Sequence, residues 1–127
     1  MSNNPFGEVI STYTRQQAIE DGVLVPCPPA ILHEAGFVIP LCFSRTVFAI
    51  IEQPCDDGIH SLDGVLWDVL WMLHLAAKKH SDKQIVPFEV FIHNTKKRRD
   101  ILQKFICHIG PGDTAAPVLT VMFPSED

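Results

Sequence analysis

The chain has 127 residues and a mass of 14.2 kDa, the size of one domain spanning residues 1–127 and long enough to bury about two thirds of its unfolded surface. Hydrophobic residues at 46% against charged residues at 20% exclude a largely disordered or collagen-like polymer. A formal net charge of −5 argues against a sequence-independent nucleic-acid binder, whose phosphate affinity comes from excess Lys and Arg.

The N-terminal stretch Met1-Ser2-Asn3-Asn4-Pro5-Phe6-Gly7-Glu8 lacks the basic-then-apolar order of a signal peptide, so a cytoplasmic location is expected. Thr14-Arg15-Gln16-Gln17 has the form of a capping box, which predicts a short helix that Gly22 stops. Pro26-Cys27-Pro28-Pro29 is stiff and poor in backbone donors; Pro28 or Pro29 suits the first turn of a second helix, Ala30 to Ala35, closed by Gly36. The apolar run Phe37-Val38-Ile39-Pro40-Leu41-Cys42-Phe43 contains a proline that weighs against a regular central strand, and it reads as a buried extended connector. Ser44 is a good N-cap for a helix from Arg45 to Glu52, which Pro54 ends.

The most informative stretch is Ser61 to Lys79. Ser61 is its N-cap candidate, and Asp63 sits favourably at the positive end of the helix dipole. At about 100° per residue, Val65, Leu66, Val69, Leu70, Met72, Leu73, Ala76 and Ala77 fill one broad face. Trp67, Trp71 and Leu75 form a second apolar stripe across from it. Such a helix is expected to be surrounded, by the rest of the molecule and by a second copy. Asp68 and His74 interrupt the apolar run, which falls short of the roughly 20 residues that a membrane-spanning helix needs.

Beyond Gln84 the pattern changes. Val86, Phe88, Val90 and Ile92 alternate, predicting a strand, with Pro87 near its start marking an edge or entry position. Ile101 to Ile109 fits either helical spacing or alternation; the turn cluster Gly110-Pro111-Gly112-Asp113 and the strand-like Val118 to Phe123 favour strand. The resulting fold class is α+β: short N-terminal helices and one long buried helix packed on a C-terminal antiparallel sheet of about three strands.

Candidate chemistry is sparse. His60, Asp56, Asp57 and Asp63 share one loop and helix start, but without an H-x-x-x-H, H-E-x-x-H or EF-hand order they read as an Asx turn and a capped helix, so neither a metal nor a cofactor is expected. Asp68, on a mostly apolar helix, carries the expectation of a raised pKa. His74 falls on the same helical side as Trp67 and Trp71, and these three are the interaction candidates: a stacking pocket for a planar ligand, or packing against a neighbouring segment or subunit. Cys107 and His108 are adjacent in a strand and point to opposite faces, which argues against a nucleophile pair. Cys27, Cys42, Cys55 and Cys107 form no C-x-x-C pair and read as free thiols. Lys96-Lys97-Arg98-Arg99 reads as a solvated loop between strands.

Several segments together carry a resemblance: Asn4-Pro5-Phe6-Gly7; Ile10-Ser11, Tyr13-Thr14-Arg15, Gln17-Ala18 and Asp21-Gly22-Val23-Leu24-Val25; Glu34-Ala35-Gly36-Phe37; Ser61 to Leu70; Gly110-Pro111-Gly112-Asp113; and Pro117 to Met122. Through them the chain resembles a family of short uncharacterised proteins of bacteria, their plasmids and their phages. The resemblance covers nearly the whole chain and implies a shared fold, but no activity and no catalytic residue. The functional expectation is therefore a small cytoplasmic interaction or accessory protein that works as a homo-oligomer, a homodimer in its simplest form, with nucleic acid and membrane not among its partners. The alternative is an enzyme of unrecognised class that uses a polar cluster of Tyr13, Arg15, Asp21 and Asp68, with His74 nearby, between the N-terminal region and the central helix.

Overall fold

Three hydroxyl side chains decide where helices begin. Thr14 accepts from the backbone N–H of Gln17 at 3.0 Å while the Gln17 side chain accepts from the Thr14 N–H at 2.9 Å, completing the capping box of α1 (Arg15–Glu20). Ser44 caps α3 (Arg45–Glu52) and Ser61 caps α4 (Leu62–Lys79), each accepting a backbone N–H three residues on. Between α1 and α3 lies α2 (Pro29–Glu34), with its proline at the first helical position. A computed structural model describes residues 13–127, so the sequence readings on residues 1–12 lie outside the described residues.

Five strands accompany these helices: β1 (Leu24–Pro26), β2 (Leu41–Ser44), β3 (Ile85–Asn94), β4 (Arg99–Pro111) and β5 (Pro117–Met122), with 3-10 turns at Gln53–Asp57 and Pro124–Glu126. They form one sheet in the order β1-β2-β5-β4-β3, antiparallel throughout except for the parallel pair β2–β5. The mixed helix-and-sheet class is as expected, but the sheet has five strands rather than three, is mixed rather than antiparallel, and takes two strands from among the N-terminal helices.

The physical reason lies at Pro40. It stands just before β2, where its carbonyl accepts the Leu119 N–H at 2.9 Å and its missing donor costs nothing. The segment read as a connector therefore joins the ladder from Leu41 onward, with Leu41 opposite Leu119 and Phe43 opposite Val121. The short edge strand β1 ends in Pro26, a residue that an edge tolerates.

The ambiguous segment from Ile101 to Ile109 is strand, as the turn cluster suggested. Helical spacing would have grouped Ile101, Leu102, Phe105, Ile106 and Ile109; instead β4 pairs with β3 along ten residues and with β5 along six, and Phe105 and Cys107 enter the core opposite Phe88 and Val86. α4 packs against β3, and α3 against β1, β2 and β5. Phe43, Val47, Ile51, Leu66, Val69, Leu70 and Val121 have no solvent exposure and form the centre of the core.

The long helix departs from expectation in a way that matters for function. Its buried residues are Val65, Leu66, Val69, Leu70 and Leu73, which pack with β3, α2 and α3. Trp67, Trp71, Met72 and Leu75 are exposed, so the helix has one covered face and one open apolar face within the chain. The sheet covers α4 from one side, and the short α2 and α3 are too few to wrap the remainder.

Candidate functional site

Helical spacing of i, i+4 and i+7 brings the rings of Trp67, Trp71 and His74 into one stack on α4. The Trp67 and Trp71 centroids are 6.1 Å apart at an interplanar angle of 13°, and Trp71 and His74 are 5.5 Å apart at 12°. His74 closes the inner end of the stack. Phe37 meets it edge-on at 5.9 Å, and Gly36 lies so close that a Cβ there would stand 3.3 Å from the imidazole. Gly36 also has φ of +93°, so both backbone and space require glycine after α2. The outer end is open, with Trp67 exposed by 37% and Trp71 by 43%.

Apolar surface continues from this stack across the sheet edge. Asp68, Trp71 and Met72 of α4 line a cleft of about 370 Å³ together with Glu89, Val90 and Phe91 of β3 and Leu102 of β4. Met72 and Glu89 also line a neighbouring cleft of about 570 Å³, which runs past Leu75, Ala76 and Lys79 toward Phe88, Ile106 and Pro124. Phe91 is exposed by 63% and Leu102 by 40%. Partial burial raises the pKa of Asp68, as the sequence suggested.

The backbone edge beside this surface is blunted at both ends. β3 is the outermost strand, and its His93 carbonyl accepts from Gln53 Nε2, which shows that odd-numbered residues turn their backbone groups outward. By that alternation Pro87 removes one outward donor near the start of the strand, while Gln53 covers the far end, where its Oε1 accepts the Thr95 N–H at 3.1 Å. Between these two ends the outward backbone groups of Glu89 and Phe91 have no hydrogen-bond partner among the described residues.

The polar residues that the sequence offered as an alternative site, Tyr13, Arg15, Asp21 and Asp68, divide between two places. Tyr13 donates its hydroxyl to Asp21 Oδ2 at 2.8 Å, and that bond, with some desolvation, raises the Tyr13 pKa. The Arg15 guanidinium donates to Thr120 Oγ1 at 2.8 Å and to the Leu119 carbonyl at 2.7 Å. The backbone N–H groups of Arg15 and Gln16 donate to the two carboxylate oxygens of Asp113, at 2.6 and 3.0 Å. Asp113 thus caps α1 from nearly 100 residues away, and the hydrogen bonds assign Arg15 to fastening α1 onto β5. Asp68 lies in the cleft beside Trp71, and among the described residues no hydrogen bond joins it to Tyr13, Arg15 or Asp21.

The loop before α4 holds a cluster of which the local sequence shows only half. Asp57 Oδ1 accepts the N–H groups of Ile59 and His60 at 2.7 and 2.9 Å, and its Oδ2 lies 2.7 Å from His60 Nδ1. These bonds, the His60 and Ile59 N–H groups foremost, lower the Asp57 pKa to about 2. The His60 ring stacks on His93 of β3, centroids 4.6 Å apart at 16°, and His93 Nδ1 lies 3.1 Å from Asp100 Oδ1. Asp56 and Asp63, grouped with His60 by proximity in sequence, are not members; the missing partners, His93 and Asp100, come from the β3–β4 hairpin. Their signal was faint, because strand pairing alone sets His93 opposite Asp100.

The cysteines are unpaired, as expected. Cys107 is buried, and desolvation pushes its thiol up to about 12, which removes it as a nucleophile at neutral pH. Lys96 to Arg98 lie in the exposed β3–β4 turn, with Arg98 at a φ of +55°, and Arg99 opens β4. Among the described residues no helix is long and apolar enough to cross a membrane.

These features define a mixed-sheet α+β protein with an open aromatic face. The family of unknown function DUF6573 matches residues 44–127, well over half of the chain, and the chain belongs to that family. The matched part begins at the N-cap of α3 and includes α4, the aromatic stack and the His60/His93 cluster. No curated protein and no solved structure matches the chain.

Proposed function

We propose that this protein is a small interaction protein whose aromatic α4 face joins a second copy of the chain, making a homodimer that acts by macromolecular contact as an accessory factor of mobile-element origin in the cytoplasm. The observation that carries the reading is the open stack of Trp67 and Trp71, continuous with Met72, Leu75, Phe91 and Leu102. Exposed aromatic and aliphatic groups gathered on one face are the composition of an interface core, and the surrounding Asp68, Glu89, Lys79 and Lys104 supply a polar rim of both signs.

Charge selects the partner. A two-fold interface must be complementary to itself. The exposed face of α4 carries Asp63 and Asp68 in its N-terminal half and Lys78 and Lys79 at its C-terminal end, so two antiparallel α4 helices attract along their length. Centred on Trp71, that pairing sets Asp63 level with the partner's Lys79 along the helix axis, Trp67 level with the partner's Leu75, and Asp68 level with the partner's His74. The two helix dipoles are then opposed, which is favourable.

A charge exchange tests this register. Asp63→Lys places a like charge level with the partner's Lys78 and Lys79 and is expected to weaken dimerisation several-fold, the scale of about 1 kcal/mol for a rim pair. Adding Lys79→Asp is expected to restore it, as read by sedimentation equilibrium at low salt. If the double variant dimerises no better than Asp63→Lys, or neither changes the association, the antiparallel register is wrong.

A further inference from the structure

We propose that Asp57, His60 and His93, supported by Asp100, form a binding site for a divalent transition-metal ion of the zinc class. Ligand atoms of Asp57, His60 and His93 all lie within 4.8 Å of one another. The donor set of two imidazoles and one carboxylate is that of zinc and its neighbours rather than of calcium or magnesium, which favour all-oxygen shells.

His93 already has the partner that a metal ligand needs. A ligating histidine is held in orientation by a carboxylate or carbonyl on its second nitrogen. Here Asp100 Oδ1 lies 3.1 Å from His93 Nδ1, whereas Asp57 Oδ2, 2.7 Å from His60 Nδ1, is itself a proposed ligand, so the ion takes the place of the proton between that oxygen and that nitrogen. The Nε2 atom of His93 is left without a hydrogen bond among the described residues.

The frame around the cluster is firm. The 3-10 turn that carries Asp57 is bound to the end of β3 through Gln53, which reaches the His93 carbonyl and the Thr95 N–H, while Thr95 Oγ1 donates to the Gln53 carbonyl at 3.4 Å. His60 directly precedes the N-cap of α4. Sites seated on strand and helix ends hold their ligands more accurately than sites on free loops. Tetrahedral zinc with bonds of about 2.0–2.1 Å spaces its donors about 3.4 Å apart, so closure draws the side chains together by roughly 1 Å through rotation of the imidazoles. Three protein ligands leave a fourth position for water.

The histidines are also what makes the site legible only in three dimensions, since His60 and His93 are 33 positions apart in the chain and share no motif. Cobalt(II) and zinc(II) titrations test the proposal. The wild-type chain is expected to bind one Co²⁺ with visible absorption bands of a low-coordinate N/O site, displaced by one equivalent of Zn²⁺, with a dissociation constant of about 10 μM or tighter. His93→Ala and His60→Ala are each expected to weaken binding at least 100-fold, with unchanged far-UV circular dichroism, and Asp100→Asn by about 10-fold through His93. Cys55→Ser, the half-buried thiol in the same turn, is expected to leave the spectrum unchanged. Binding that survives the His60→Ala/His93→Ala double variant, that is lost in Cys55→Ser, or that is absent from the folded wild-type chain would overturn the assignment.

Discussion

Leu70→Ala is expected to lower the unfolding free energy by about 3–4 kcal/mol. Leu70 has no solvent exposure and sits on the covered face of α4 among Leu66, Val69 and Leu73. Truncation removes the transfer free energy of the lost carbons and leaves a cavity that the surrounding sheet and helices fill only in part. Urea unfolding reads this as a lower midpoint at unchanged slope, since the extent of surface exposed on unfolding stays the same. A loss under about 1 kcal/mol would mean that α4 does not anchor the core. The neighbouring residue provides the contrast. Trp71 is larger than Leu70 but open to solvent, so its removal from a monomer costs about 1 kcal/mol or less, chiefly the ring stack with Trp67 and His74.

Trp67→Ala/Trp71→Ala is expected to have the opposite profile: nearly unchanged monomer stability and a dimer dissociation constant weakened on the order of a thousand-fold. Aromatic anchors at the centre of an interface are worth about 2 kcal/mol or more each, and each 1.4 kcal/mol is tenfold in affinity. Sedimentation velocity over a concentration series separates this from unfolding, and far-UV circular dichroism confirms that the helices persist. A double variant that associates as the wild type does would remove the aromatic stack from the interface.

These two substitutions mark the line between what the sequence revealed about α4 and what it hid. Helical periodicity correctly separated the stripe of Val65, Leu66, Val69, Leu70 and Leu73 from the stripe of Trp67, Trp71 and Leu75, because both follow from 3.6 residues per turn. Met72 fell with the wrong group, because its angular position lies at the boundary of the two faces. What periodicity does not contain is the amount of protein available to cover each stripe; that depends on how many elements surround the helix. The same division holds elsewhere. The caps at Thr14, Ser44 and Ser61 were legible because a hydroxyl satisfies N–H groups within three residues of itself.

The sheet was less legible. Leu41–Ser44 has no alternation because it is buried along its whole length, and Pro40 disguised its first residue. Long-range pairing also hid the roles of two polar residues. Arg15 and Asp113 were visible as members of separate motifs, but only the approach of α1 to the β4–β5 turn gives the one a fastening role and the other a capping role. His93 joined His60 for a similar reason, through the packing of the Gln53–Asp57 turn against the end of β3. Residues that act across such distances leave no local pattern, whereas capping and amphipathicity do.

Sedimentation equilibrium of the wild-type chain across a range from about 1 to 100 μM tests the proposed α4-to-α4 dimer most directly. A species of twice the 14.2 kDa chain mass is expected to be populated, with the indole fluorescence of Trp67 and Trp71 blue-shifted as it forms. A single 14.2 kDa species at every concentration, with both indoles still in water, would contradict it.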